Sequence, residues 1–299
     1  MQKTLLVHHA ANRSHDYPVG SLDGLRDCLE AGARAIEVDI SLLADGDFLL
    51  YHDARLETGT TGQGPVAGYT AAQAADLRLT RGGEPTRYPP ARLSQVLGLL
   101  ATCERPVELQ LDLKLNAPLT TKALAGLAGM LELHGDRVRV SSPGDWAIRT
   151  LRVIAPDLQL GFDPLLYLEP DIGDEDDRRR PPYRVGAYGY RDDHPLAMIR
   201  WGHTADYLAA RAEALWAQVP VAGAVWYIRA RLLERALDDG FDWILWLHQR
   251  GVRVDAWTLD SGPDEDTSLA SRLVTAGVDR ITTNNAPALA DALGDCVAF

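Results

Sequence analysis

Eight times along this chain a short apolar, β-branched run is followed by a longer stretch with helical spacing, and this alternation restricts the fold more than any other feature. The strand-like runs centre near positions 5, 36, 108, 138, 159, 225, 254 and 281. Between them lie helix-like segments such as "VGSLDGLRDCLEAGA", "APLTTKALAGLAGMLELHG" and "RARLLERALDDGFDWILWLHQRG". A strand followed by a crossover helix, repeated, builds parallel sheet. Eight such units in 299 residues predict an α/β fold, a (β/α)8 TIM barrel spanning 1–299 as a single domain. A doubly wound open sheet is the competing arrangement, but no glycine-rich phosphate loop follows the first strand. Two segments break the rhythm. Residues 47–92, with "ETGTTGQGPVAGYT", read as a small insertion after strand 2, and 163–195 as a long loop on the fifth unit and a candidate lid.

A formal charge of -12 argues against a nucleic-acid partner and against bulk-charge docking on an anionic membrane. It leaves room for an anionic small molecule, because one local cation reverses the field in a pocket. Cys28, Cys103 and Cys296 lack metal-like spacing and read as reduced thiols of a cytoplasmic protein. No apolar run approaches the roughly 18 residues of a spanning helix. The sequence does not specify the oligomeric state.

In a TIM barrel the chemistry gathers at the carboxyl ends of the strands. Strand one ends in His8-His9, strand two carries Glu37 and Asp39, and the strand after the Asp45-Gly46 turn ends in His52-Asp53. Strand three carries Asp112 and Lys114, strand seven Trp257, and strand eight runs into Asn284-Asn285. Residues two apart in a strand share a face, so Glu37 and Asp39 repel unless something positive lies between them. Glu37, Asp39 and Asp112 make an oxygen cage suited to one hard divalent cation, Mg²⁺ or Ca²⁺. Lys114 suits a phosphate oxygen, and paired histidines suit general acid–base catalysis at phosphorus. Each element alone is a common surface, turn or barrel-end feature. Their joint fall on the strand ends of one barrel predicts a phosphodiester-cleaving enzyme with a small-molecule substrate.

The stretch "GARAIEVDISLLADGDFLLYHDARLETGTTGQGPV" resembles the glycerophosphodiester phosphodiesterase family, with further similarity in "RLSQVL", "LDLK", "VDAWTLD" and "AGVDRITTNNAPAL". The resemblance implies a TIM barrel with an insertion after strand two, a metal on Glu37, Asp39 and Asp112, and Lys114 and Trp257 at the substrate. It also implies that His52 shares acid–base work with a strand-one histidine. A neighbouring substrate hydroxyl would attack phosphorus, an alcohol would leave, and water would open a cyclic phosphate. Three departures matter. His8-His9-Ala10 stands for the family's His-Arg-Gly, Pro18-Val19-Gly20-Ser21 for its Pro-Glu-Asn-Thr, and Asp112 for its usual Glu. Hydrophobic register favours His8 as the catalytic residue and spacing to Glu37 favours His9. Arg178 to Arg180 or Arg191 are candidates to replace the absent phosphate-binding Arg. Asp-Leu-Lys and His9 to Asn12 resemble instead sphingomyelinase D relatives, which keeps open a phospholipase-D-like lyase releasing a cyclic phosphate. A barrel that binds a phosphate ligand without turnover is the third reading.

Overall fold

The computed structural model describes residues 3–170, 186–262, 264–294 and 296–299. Eight parallel strands close into a barrel: β1 Thr4–His8, β2 Ala35–Leu42, β3 Glu108–Leu113, β4 Val138–Ser142, β5 Gln159–Phe162, β6 Val225–Arg229, β7 Arg253–Trp257 and β8 Arg280–Thr283. Closure comes through β1, which pairs with β8 on one side and with β2 on the other. Around it run α1 Leu22–Ala31, α2 Leu93–Thr102, α3 Thr121–Leu131, α4 Asp145–Ile154, α5 Thr204–Gln218, α6 Ala230–Asp238, α7 Trp243–His248, α8 Asp264–Thr275 and α9 Ala286–Leu293. Among the described residues no helix is long and apolar enough to cross a membrane.

Strand periodicity sorts the side chains into two layers. Ile36, Val38 and Ile40 of β2 and Leu109, Leu111 and Leu113 of β3 face outward into the apolar layer under the helices. Their alternates, Glu37 and Asp39 on β2 and Glu108, Gln110 and Asp112 on β3, fill the barrel interior. The outward layer carries the stability: truncating the fully buried Leu111 to Ala would cost about 2–5 kcal/mol. The inward layer is free to be polar, and there the site is built.

Helix ends follow local chemistry. Ser21 caps α1 by accepting from the Gly24 N–H at 3.2 Å, and Gly32 closes it in the left-handed region at φ +86. The single helix expected over "RARLLERALDDGFDWILWLHQRG" is two, α6 and α7. Gly240 at φ +88 ends the first, and the Asp242 carboxylate starts the second by accepting from Leu245 N–H at 2.9 Å.

The insertion begins with Phe48–Leu50, antiparallel to β2 with Ile40 opposite Leu50 across a turn at Gly46. Leu49, Leu56, Val66 and Leu77 give it a small core of its own. In the loop after β5, Leu168–Pro170 pairs antiparallel with Tyr190–Asp192. Asp192, fully buried, accepts from Arg211 Nε at 2.9 Å and from the Tyr207 hydroxyl, which anchors this hairpin to α5.

Candidate active site

Parallel register sets Asp39 beside Asp112, and Glu37 lies on the same inward face of β2. One oxygen from each of Glu37, Asp39 and Asp112 falls within 4.8 Å of the others. Lys114, inward like Asp112, reaches Asp112 Oδ2 at 2.6 Å and Asp39 Oδ1 at 2.8 Å. Three carboxyl groups face one ammonium in this corner, so the acids outnumber the cation. Burial, reinforced by the Asp39 and Asp112 charges, pushes the Glu37 carboxyl well above the usual carboxylate range. Burial opposes the Lys114 charge, but the carboxylates of Asp112, Asp39 and Glu37 outweigh it and raise its pKa. Glu37 Oε2 also accepts from the Ala10 N–H at 2.8 Å. Ala10 and Ala11 take φ of +52 and +49 to make that turn, a strained choice for residues with a side chain.

The two histidines of strand one separate by parity. His8 points out of the barrel: it is buried, lies 3.2 Å through Nε2 from the Ala298 carbonyl, and sits 5.3 Å from the Phe299 ring. Burial lowers its pKa. His8 therefore does not join the carboxylates, because an apolar run ending in His on the outward face leads into the helix layer. His9 follows on the inward side, with Nε2 at 3.8 Å from Glu37 Oε2. Its Nδ1 is 2.6 Å from Asn284 Oδ1, and Asn284 in turn donates to Asp260 through its backbone N–H at 2.8 Å and its side-chain amide at 2.9 Å. Because the Asn284 amide N–H points at Asp260, its oxygen faces His9 and accepts the Nδ1 proton. Nε2 is then the free nitrogen on the carboxylate side. His52 is exposed, and its Nδ1 is paired with Asp53 Oδ1 at 2.9 Å.

His52, Asp39, Asn12 and Arg81 line one cleft of 530 Å³, walled on another side by Pro18, Val19, Gly20 and Ser21. The cleft thus runs between the turn after β1 and the insertion. Trp257, at the end of β7, lies under the Arg229 guanidinium at 5.1 Å, and Arg229 pairs with Glu169 of the loop hairpin. Arg191 stands opposite Glu169 in that hairpin and is buried; Arg178 to Arg180 lie outside the described residues.

Two residues at the mouth, Asp163 and Asp260, were not singled out by the sequence. Asp163 follows β5 on the inward side, where burial, with the Asp112 and Glu169 charges adding, raises its pKa. Its place two residues past the inward Gly161 was a usable signal. Asp260 and Asn284 come from separate strand ends and meet only when the barrel closes.

Residues 12–152, just under half of the chain, match the model of the glycerophosphoryl diester phosphodiesterase family. The match starts just past His9. A glycerophosphodiester phosphodiesterase from Caldanaerobacter subterraneus is 25% identical over 171 residues, covering 55% of this chain and 67% of that protein. A probable glycerophosphodiester phosphodiesterase 1 from Mycobacterium tuberculosis is 26% identical over 179 residues, 54% of this chain and 65% of the relative. These matches thus span about two thirds of the curated relatives. Among solved structures, an Oleispira antarctica phosphodiesterase in complex with the product sn-glycerol-3-phosphate superposes with TM-score 0.67 at 16% identity, covering 98% of this chain and 97% of that one. A putative glycerophosphoryl diester phosphodiesterase from Silicibacter pomeroyi gives TM-score 0.65 at 20% identity, covering 98% and 94%. These structural likenesses show the barrel fold.

Proposed function

We propose that this chain, whose residues 12–152 match the glycerophosphoryl diester phosphodiesterase family model, belongs to that family and is a phosphoric diester hydrolase acting on a small glycerophosphodiester. The observation that carries the reading is the corner of Glu37, Asp39 and Asp112, held within 4.8 Å of one another with Lys114 against them and His9 Nε2 at 3.8 Å from Glu37. Oxygen-only donors that outnumber the one ammonium fit one Mg²⁺ or Ca²⁺ ion, whose charge would favour ionisation of all three carboxyl groups. Bound there, the ion supplies charge neutralisation and Lewis-acid polarisation of a phosphoryl oxygen.

The chain's own residues do the rest. Lys114 neutralises part of the charge on the phosphoryl oxygens as it builds. His9, its Nδ1–H engaged by Asn284, takes a proton through Nε2 from the attacking hydroxyl, either a neighbouring hydroxyl of the substrate or water. His52, its Nδ1–H given to Asp53, delivers a proton through Nε2 to the leaving alcohol. His52 lines the cleft and His9 stands beside Glu37, and two separate groups suit proton removal and proton delivery at phosphorus. Arg81 at the rim is suited to the role of the arginine that strand one lacks. Trp257 bounds the substrate on the β7 side.

Phosphorus NMR of glycerophosphocholine incubated with the protein and each metal tests the reading. Glycerol phosphate should form with Mg²⁺ or Ca²⁺ and vanish in Glu37→Gln. A cyclic phosphate that accumulates unopened would identify the lyase outcome. No turnover of any phosphodiester, with His52→Ala indistinguishable from the parent, would defeat the proposal.

A further inference from the structure

One surface outside the cleft has no role in the reaction. In the connection from β5 to α5, Leu196, Met198, Ile199 and Trp201 are 45%, 60%, 59% and 46% exposed. Four large apolar side chains within six residues is far from the scattered single exposures of a soluble surface. The segment is also held in place. Ala197, fully buried, bonds through its carbonyl to the Ala187 N–H, and the Leu196 N–H donates to His194 Nδ1 at 3.1 Å. The N–H groups of Trp201 and Gly202 donate to the Tyr188 hydroxyl at 2.9 and 3.1 Å, and Tyr188 stacks on Tyr207 of α5 at 4.4 Å. The backbone is pinned inward while the apolar side chains point out.

Position and charge narrow what can cover it. The connection leaves the carboxyl end of β5, so it lies on the barrel face that carries the Glu37 cluster. Through Glu169 and Arg229 the same connection touches the Trp257 wall of the mouth. Residues 194–203, "HPLAMIRWGH", hold Arg200 as their one fixed charge and no acid, in a chain of formal charge -12. That total repels an anionic bilayer and opposes a second copy of the same chain. A zwitterionic lipid surface meets neither objection. Aliphatic side chains and a tryptophan enter its interface, and one arginine meets the lipid phosphate.

We infer that residues 194–203 dock this barrel on a zwitterionic phospholipid surface with the cleft facing the lipid. A lipid-borne phosphodiester thereby becomes a substrate, a consequence that rests on the proposed hydrolase reading; the docking itself does not.

Sedimentation of the full chain with sucrose-loaded phosphatidylcholine vesicles tests docking without any turnover. The parent should pellet, and Met198→Ser/Ile199→Ser should lower its partition by about tenfold or more, given the apolar area removed. Trp201 emission should shift to the blue on adding vesicles, and the shift should be missing in Trp201→Phe. Glycerophosphocholine hydrolysis should be equal in the parent and the double variant, whose melting temperature should also match. A parent that stays in the supernatant would overturn the inference, as would a double variant that pellets equally. So would binding to phosphatidylglycerol vesicles alone, or a parent dimer that the double substitution makes monomeric. A protein that pellets as expected but turns over no phosphodiester would defeat the hydrolase reading and leave the docking standing.

Discussion

Inside one barrel, Glu108, Arg139, Asp255 and Arg280 meet in the lower half, and Glu37, Asp39, Asp112 and Lys114 meet at the mouth. The lower group is balanced, two arginines against two carboxylates. Glu108 accepts from Arg139 Nε at 3.1 Å and pairs with Arg280, which lies 3.3 Å from Asp255. Arg139 also donates to the Leu160 carbonyl at 2.9 Å. Burial pushes the Glu108 pKa up, but the two guanidiniums more than reverse this and bring it to about 2. The upper group is more open, with Asp112 and Lys114 one-fifth exposed, and its carboxylates crowd one another, which adds to burial in pushing Glu37 up. Balanced charge in a closed interior is a structural plug. Unbalanced charge at an open mouth is the feature on which the proposed cation site rests.

The first way to break this comparison is to remove a charge from each end. Glu37→Gln should lower phosphodiester turnover by about three orders of magnitude or more, because it removes a ligand worth several kcal/mol at the transition state. The metal-free protein should melt no lower than the parent, since a mutual repulsion is relieved. Glu108→Gln should do the reverse. It leaves Arg139 without a carboxylate and Arg280 with Asp255 alone, and should destabilise by about 3 kcal/mol in urea unfolding, with the residual folded enzyme still active. Equal loss of stability at both ends would erase the distinction.

The pH dependence of stability sharpens the lower end. The folded pKa of Glu108, at about 2, lies below its ordinary value of 4.5. Its stabilisation is therefore complete above the unfolded value and is lost as pH falls from 4.5 towards 2. Acid unfolding curves of parent and Glu108→Gln should converge over that window and separate above it. A constant gap down to pH 2 would remove Glu108 from the account.

A smaller effect belongs to the link behind His9. Asn284→Ala should lower kcat by about tenfold through loss of the partner that orients the ring, with KM little changed. The ring ¹⁵N shifts of His9 should then report both tautomers, where the parent shows Nδ1–H. An unaltered tautomer with unaltered kcat would detach Asn284 and Asp260 from the site.

Much of this was readable before folding, for a definite reason. Strand alternation is local, so eight runs, their inward carboxylates and the Asp112/Lys114 pair follow from spacing alone. The same alternation hid the lower cluster: Arg139, Asp255 and Arg280 stand inside strands whose apolar rhythm belongs only to the outward face. His8 and His9 stayed ambiguous because the apolar run before them does not say which of its two faces continues past the strand end. The barrel resolves this, with Leu6 under the helices and His9 beside Glu37. Asn284 is visible at a strand end, but its bond to Asp260, 24 residues away, is made by barrel closure and has no local signal. The break between α6 and α7 was legible at Gly240 and was passed over in favour of continuous helical periodicity.

Calorimetric titration of Mg²⁺ and of Ca²⁺ into the purified chain tests the central claim most directly, with Glu37→Gln and Glu108→Gln run beside it. The account predicts one divalent ion bound per chain, and a rise in melting temperature worth about 2.7 kcal/mol at a hundredfold excess over Kd. Both should be lost in Glu37→Gln and kept in Glu108→Gln. No ion bound by the parent, or the same binding in Glu37→Gln, would contradict it.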